Sequence, residues 1–384
     1  MKEQHVDYDQ ATGRMRSPPR QIFLEVSSRC NLACVHCSRD FGSPYGHPAR
    51  DMSFETVKRL APWLEAAHHV NLNMVGESLL APDFDRILCF ASGRGTLVHF
   101  NTNGILMNEP RCRLVVERQV HSVVFSVDGD ASNFPIRGVS YAAVKRRMLL
   151  LDRVKRELGS DLPHIGVSFV LMRRNLHELP QVLEDLCGLL RVHAIHVQPL
   201  VVFWETLRGE NVYDQEDVDD VVSASRAIAA RHGSYLGLFR SQFGEDERNR
   251  TPDETPQLGA HSDRFGCIDP FYEIKIRSTG EVMSCSYGLT GGLDIGRDSL
   301  DGIWNGPWYR ALRQRLYARC FEGRCANCAF IRGSRENQVV PLQPGVHHSR
   351  ADRFVGPAPA LGAAEIAPSW SGRLSRLFPS RRRR

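Results

Sequence analysis

Six short runs rich in Val, Ile and Phe recur along the first two thirds of the chain, and helical patterning fills the gaps between them. The runs are residues 21–26, 70–75, 97–102, 122–127, 165–171 and 194–200. Each is near-continuously apolar, the pattern of a parallel strand buried on both faces. Between them, apolar positions recur at helical spacing over 54–67, 84–91, 111–118, 141–158 and 179–190. Asn175 and the early Pro180 mark one helix entry, because proline is tolerated in a first turn. Strand and helix in regular alternation predict an α/β fold, a parallel barrel or partial barrel of six β/α units. Its ligand groups are expected at the C-terminal ends of the strands.

The flanks read differently. Residues 1–20 are polar, with Ser17-Pro18-Pro19 near their end, and predict an irregular lead-in to a core spanning 21–240. Within that core, 212–232 reads as an acidic then alanine-rich helix and 235–239 as a short apolar run. Residues 241–265 are charged and proline-bearing, a linker. From 266 to 333 a small hairpin-and-helix region follows. Residues 271–277 and 281–285 flank the turn Ser278-Thr279-Gly280, and Gly306-Pro307 opens a helix to about Tyr317. Residues 334–384 turn polar, then rich in Pro, Ala and Gly, and are expected to be a disordered basic tail. Trp370, Leu374, Leu377 and Phe378 share a helical face there, but two turns at most make a frayed tail rather than an anchor.

Composition narrows the classes. A chain of 384 residues buries a full core. No secretory signal and no run of eighteen apolar residues stands in it, so a cytoplasmic protein without a membrane span is expected. In that compartment eleven cysteines are not a disulfide framework. The net charge of +5 owes much to the C-terminal arginines and makes no case for nucleic acid.

The chemistry starts at Cys30, Cys34 and Cys37, a C-x₃-C-x₂-C set directly after the first strand-like run. Thiolates are soft ligands that favour iron–sulfur clusters and zinc. A [4Fe–4S] cube takes four protein ligands; three thiols on one loop leave an iron open for something else to bind. A zinc site would need a fourth ligand, His36 or a distant group.

C-x₃-C-x₂-C after a first strand resembles the radical S-adenosylmethionine (SAM) superfamily, and the likeness extends over most of the chain. That resemblance implies a partial (β/α)6 barrel whose open iron chelates SAM. It further implies reductive cleavage of SAM to a 5′-deoxyadenosyl radical that takes hydrogen from the substrate. In the family the residue before the third cysteine lies near the adenine; here it is His36. Gly76 and Glu77, after the second strand, resemble the Gly-Gly-Glu-Pro segment that holds the SAM amino group, with Val75 and Ser78 in place of its first Gly and its Pro. Asn101-Thr102-Asn103-Gly104 and Ser126-Val127-Asp128-Gly129 look like the Thr-Asn-Gly and Ser-x-Asp-Gly segments. Asn101, Asn103, Ser126 and Asp128 are therefore candidates for the ribose hydroxyls and the SAM carboxylate. Ser168 and Gln198 are candidates for the adenine or substrate side, each equally readable as a polar residue in a mostly buried strand.

A second thiol set follows: Cys267 and Cys285 bracket the hairpin, and Cys325 and Cys328 stand as C-x₂-C, with Cys320 as a spare. Four thiols are the count that saturates another cluster or a zinc. The spacing resembles the SPASM/twitch auxiliary domain of radical SAM enzymes, which implies an auxiliary [4Fe–4S] cluster. Cys89, Cys112 and Cys187 lie in helical segments and read as core thiols. His193 and His196, three apart on a strand, are not expected to share a metal.

The resemblance implies an oxidoreductase that oxidises or rearranges a small metabolite, alcohol to ketone among the reactions, with the auxiliary cluster taking the second electron. A flavodoxin- or ferredoxin-type protein would donate the first. Two other readings stay open: a radical SAM enzyme that cross-links or epimerises a ribosomal peptide, and a non-enzymatic iron–sulfur redox sensor. Lys275, Tyr272 and Arg137 are equal candidates for handling the second proton.

Overall fold

The helical stretch expected over 54–67 is broken in two, and the cause is Pro62. In the computed structural model, α1 (Phe54–Lys58) ends and α2 (Ala61–Ala66) begins around that ring. A proline there lacks the N–H for an i−4 bond and clashes with the carbonyl four residues back. The structure describes residues 7–38, 49–202, 205–212, 215, 217–238, 267–285, 289–323 and 325–327. The linker call at 241–265 and the tail call at 334–384 fall outside the described residues, as does Cys328.

The lead-in is not irregular throughout. Strands β1 (Tyr8–Asp9) and β2 (Arg14–Met15) pair antiparallel, and Gly13 takes a φ of +71° in the turn between them. Its backbone continues into β3 (Gln21–Leu24). After α1 and α2 come β4 (His69–Asn71), α3 (Phe84–Ser92), β5 (Leu97–Thr102), α4 (Glu109–Glu117) and β6 (Ser122–Ser126). A short α5 (Asn133–Arg137) precedes the long α6 (Tyr141–Glu157), and then β7 (His164–Leu171), α7 (Glu178–Leu189) and β8 (Val192–Pro199) complete the alternation. Helix α8 (Val218–Arg231) and β9 (Tyr235–Leu238) close this half.

Strands β3 to β9 lie side by side in chain order, all parallel. This is the partial barrel the alternation predicts: the sheet is open, with β9 at one edge. Ile22, Leu24, Val123, Phe125, Ile165, Val167, Ile195 and Val197 are all within 0% exposure, buried beneath the helices. Among the positions alternating with them, Ser126, Ser168 and His196 are polar and half-buried and stand in one register row. A side chain at every second residue faces each side of a strand. Side-chain caps start the helices: Ser53, Asn108 and Ser140 each accept from the backbone N–H three residues on.

The C-terminal hairpin extends this same sheet. After α9 (Asp269–Tyr272), strand β10 (Glu273–Ile276) pairs antiparallel with β11 (Glu281–Met283), which pairs with β12 (Thr290–Asp294). Strand β10 also pairs in parallel with β3, Glu273 opposite Gln21 and Ile276 opposite Leu24. Beyond it lie α10 (Leu300–Trp304) and α11 (Pro307–Tyr317). The N-terminal hairpin docks on these helices: Met15 N donates to Asn305 Oδ1 at 2.8 Å, Trp304 Nε1 to the Ser17 carbonyl at 2.9 Å. Arg313, fully buried, donates to the carbonyls of Pro270 and Trp304, tying α9, α10 and α11 together. Among the described residues no helix is long and apolar enough to cross a membrane.

Candidate active site

The loop after β3 is held by backbone before any thiol is considered. Gly76 has φ +92°, and a Cβ there would stand 2.3 Å from the Ser27 carbonyl oxygen and 2.7 Å from that of Arg29. Only glycine allows both the conformation and the approach. The next residue, Glu77, donates its N–H to the Arg29 carbonyl at 2.7 Å. From the other side Asp51 accepts from Ser27 Oγ at 2.7 Å and forms a two-armed pair with the Arg29 guanidinium. Arg29 also donates to the Leu80 carbonyl at 3.0 Å. The end of β4 is therefore the bed of the cysteine loop.

Cys30, Cys34 and Cys37 follow on that loop, all half-buried. Two of the sulfurs meet N–H groups. Leu32 N lies 3.4 Å and Asn103 Nδ2 3.9 Å from Cys30 Sγ, and Arg137 Nη1 lies 3.9 Å from Cys34 Sγ. Burial pushes the Cys34 thiol up to about 12; Arg137 works against this, while the charges of Cys37, Asp128 and Cys30 add to it. Neighbouring sulfurs thus feel one another, and a cationic centre is what would let all three ionise together. Among the described residues no three His, Cys, Asp or Glu groups converge on a single ion. Three thiols spread along one loop, with N–H donors behind two of them, fit a polynuclear cluster whose sulfurs accept such bonds.

The strand-end segments reach this loop in two groups. In the first, Glu77 is buried and accepts from Thr102 Oγ1 at 2.9 Å and from Asn103 N at 2.8 Å. Burial raises its carboxyl to about 7, with the donors at Asn103, Thr102 and Leu79 and the Arg111 charge opposing. Asn103 in turn donates to Asn31 Oδ1 at 2.8 Å, beside Cys30. Asn101 is exposed, its N–H held by Asn73 Oδ1 at 2.9 Å.

In the second group, Asp128 is 0% exposed. Its Oδ1 accepts from Val170 N at 2.7 Å, and its Oδ2 stands 2.6 Å from Arg137 Nε and 3.7 Å from His36 Nε2. The carboxylate is spent on protein partners and, through Arg137, on Cys34. Burial holds His36 down at about 4, Asp128 raising it and Arg137 lowering it further, so the imidazole is neutral at pH 7. Val35 N donates to the Ile136 carbonyl at 2.9 Å, which seats the loop on α5. Ser126 and Ser168 are register partners on β6 and β7, and Gln198 lies opposite Val170 on β8.

Arg137 is the residue whose part the sequence did not disclose. It precedes Gly138, whose φ of +79° ends α5, and nothing in its spacing points to Cys34. Asn31 is a further contact that no motif marks, and Thr102, though part of the Thr-Asn-Gly-like segment, is not marked by it as a contact of Glu77. Of the other two proton-handling candidates, Lys275 is buried against Glu273, with Asp269 at 3.7 Å, and burial raises the Tyr272 hydroxyl. In the auxiliary set Cys267 and Cys285 flank the β10–β11 hairpin and Cys325 opens a short 3₁₀ turn, while Cys320 is exposed. Cys112 is a buried core thiol; Cys89 and Cys187 are half-buried.

Two family models match the chain: the radical SAM superfamily over residues 24–186, and an iron–sulfur cluster-binding domain, SPASM, over 267–329. The tungsten-containing aldehyde ferredoxin oxidoreductase cofactor-modifying protein of Pyrococcus furiosus is 28% identical over 275 residues, 69% of this chain and 70% of its own length. An AdoMet-dependent heme synthase of Oleidesulfovibrio alaskensis is 25% identical over 329 residues, 81% of this chain and 80% of its own. Streptococcus suis SuiB, solved with S-adenosylmethionine, superposes with a TM-score of 0.60 at 15% identity, over 79% of this chain and 69% of that one; this is a likeness of fold. The first model begins in β3 and takes in every strand-end segment up to α7, and the second begins at Cys267. The chain belongs to the radical SAM superfamily, an enzyme family whose SAM and [4Fe–4S] cofactors are here joined by a SPASM domain for auxiliary iron–sulfur chemistry.

Proposed function

We propose that this enzyme oxidises or rearranges a small or medium-sized metabolite, alcohol to ketone among the reactions. The observation that carries the reading is the thiol loop bedded on the β4 end. Cys30, Cys34 and Cys37 would hold the [4Fe–4S] cluster with one iron left for SAM, and Cys267, Cys285, Cys325 and Cys328 would hold the auxiliary cluster. When bound, these groups supply one-electron cleavage of the sulfonium, a 5′-deoxyadenosyl radical that takes a substrate hydrogen, and an acceptor for the substrate's second electron.

The chain's own residues set the conditions. Gly76 and Asp51 fix the loop; Asn103 and Arg137 place N–H groups and one positive charge beside its sulfurs. Glu77 would accept from the SAM ammonium, a charge-assisted bond that needs its carboxylate form. His36, neutral, would lie along the adenine; Asn101, Asn103 and Ser126 would meet the ribose and the carboxylate, and Asp128 would act through Arg137. Ser168 and Gln198 would face the substrate. The half-buried polar row of Ser126, Ser168 and His196 suits a hydroxylated molecule better than the Val, Ile and Leu layers that fill closed barrels. Both relatives named above carry names that refer to a cofactor, which supports the small-molecule class. A flavodoxin- or ferredoxin-type donor would deliver the electron.

The test is anaerobic reconstitution followed by SAM and dithionite. The expected result is 5′-deoxyadenosine from the parent and none from the Cys30→Ala, Cys34→Ala, Cys37→Ala triple variant. A fully loaded parent that makes no deoxyadenosine is a redox sensor instead. Comparing metabolites and co-encoded peptides with the gene present and deleted then separates the substrate classes; a mass change confined to a peptide would overturn the metabolite reading.

A further inference from the structure

Far from the thiol loop, at the N-terminal ends of the strands, five histidines from five consecutive strands meet. His69 opens β4, His99 lies in β5, His121 precedes β6, His164 opens β7 and His193 is the second residue of β8. Ring centroids run 5.1 Å from His69 to His99, 4.9 Å to His121, 5.0 Å to His164 and 3.9 Å to His193. His69 Nδ1 lies 2.9 Å from His99 Nε2, and His99 Nδ1 lies 2.8 Å from Ser122 Oγ. The register puts His99, Ser122 and His164 in one row across β5, β6 and β7. All five rings are half-buried.

The groups acting on His69, His99 and His193 are other imidazoles, His68 among them, with Lys155 of α6 and Arg191 at the β8 end; none is a carboxylate. Lys155 is itself buried, with Asp152 and Asp161 as its own neighbours. Arg20, ahead of β3, accepts at its carbonyl from the N–H groups of His68 and His69. A hydrogen bond between two imidazoles needs an acceptor nitrogen, so protonating both His69 and His99 removes it. Like charges about 5 Å apart also repel.

We propose that this histidine ladder is a pH-sensitive seam: it ties β4 through β8 together at their N-terminal ends while its rings are neutral, and its protonation releases that end of the sheet in acid. Burial and the neighbouring imidazoles hold His99 down at about 3, and burial with His164, Lys155 and Arg191 holds His193 at about 4, so both stay neutral in the folded chain where unfolded imidazoles ionise. The sign follows. Below the unfolded value of about 6.5 the unfolded chain binds more protons, and each such ring raises the unfolding constant by up to about tenfold per pH unit. Glu77 contributes a slope of the opposite sign, equal in any pair of proteins that both keep it.

The experiment is anaerobic urea unfolding of the reconstituted full chain from pH 7.5 to 5, parent against His99→Gln/His193→Gln, with cluster absorbance followed in every sample. Between pH 6 and 5 the parent's unfolding constant is expected to rise about 60-fold more than the variant's, that is, about 7- to 8-fold per ring over one pH unit. Deoxyadenosine formation at pH 7.5 should be unchanged. Equal pH dependence in the two proteins overturns the proposal. Because the variant can fail to fold, the parent is also titrated with ¹³C-labelled histidine rings. The signals of His99 and His193, assigned with the single His99→Gln and His193→Gln variants, support the seam if still neutral at pH 5, whereas their titration between pH 6 and 7 overturns it; His36, held down at about 4 by burial, is not counted.

Discussion

Gly76 does more for the site than any ligand could do for itself, because it decides where the cysteine loop lies. Gly76→Ala adds a methyl 2.3 Å from the Ser27 carbonyl oxygen at a φ of +92°. The backbone strain alone is about 1–3 kcal/mol, and the loop must also move. The expected outcome is a lower thermal midpoint and loss of roughly half the iron on reconstitution, read by iron assay. Glu77 gives a pH prediction. Its carboxyl, at about 7 against 4.5 in the unfolded chain, keeps a proton that the unfolded state releases between those values. Its contribution to stability is therefore greatest below pH 4.5, falls as pH rises to about 7, and is flat above. Glu77→Gln should lift stability at pH 8 by up to about 3 kcal/mol and flatten the melting profile from pH 5 to 8, while weakening SAM binding; a steeper profile would refute the assignment. The sequence made Gly76 and Glu77 visible as a pair but not their purpose, since the carbonyls they meet are some fifty positions away, at Ser27 and Arg29.

At the scale of elements, the second group of site residues works as one unit across β6, β7, α5 and the loop. Asp128 joins Val170 of β7 to Arg137 of α5, and Arg137 faces Cys34. Asp128→Asn leaves a buried guanidinium without its counter-ion, which costs about 3–5 kcal/mol. Asp128→Asn combined with Arg137→Met should recover most of the loss, because an apolar side chain leaves no charge buried. Thermal midpoints of the two variants decide this, and a double variant no better than the single would show that the pair is not the cause. The alternation of strands and helices was legible, since parallel strands covered on both faces are apolar throughout. The break at Pro62, the early end of β4 and the pairing of β1 with β2 were not. Four-residue and shorter elements leave too little periodicity to read, and β1–β2 is ordered by its docking on Asn305 and Trp304 nearly three hundred residues on.

Across the whole molecule, the least legible feature is the seating of the C-terminal hairpin against the strand that feeds the thiol loop. Patterning predicts a hairpin over 271–285, but not that β10 continues the sheet beside β3. The junction is specific: Glu25, buried at the end of β3, accepts from both the N–H and the hydroxyl of Ser278 in the hairpin turn, at 3.0 and 2.8 Å. Glu25 N also donates to the Ile276 carbonyl at 2.9 Å. The auxiliary thiols Cys267 and Cys285 thus flank strands that share a sheet with the strand leading to Cys30. Under the proposed function, an electron passing from the substrate to the second thiol set would cross a region tied together by one hydrogen-bonded sheet. The consequence is measurable with Cys325→Ala/Cys328→Ala. That variant should fall from about eight irons per chain to about four and lose product, yet still make 5′-deoxyadenosine, because nothing in the bed of the first loop is touched. If Glu25→Gln is then added and the yield of deoxyadenosine falls, the fault lies in the β3 junction. Should the cysteine variant alone stop SAM cleavage, the second thiol set serves the first site directly, and its role as an electron acceptor is wrong.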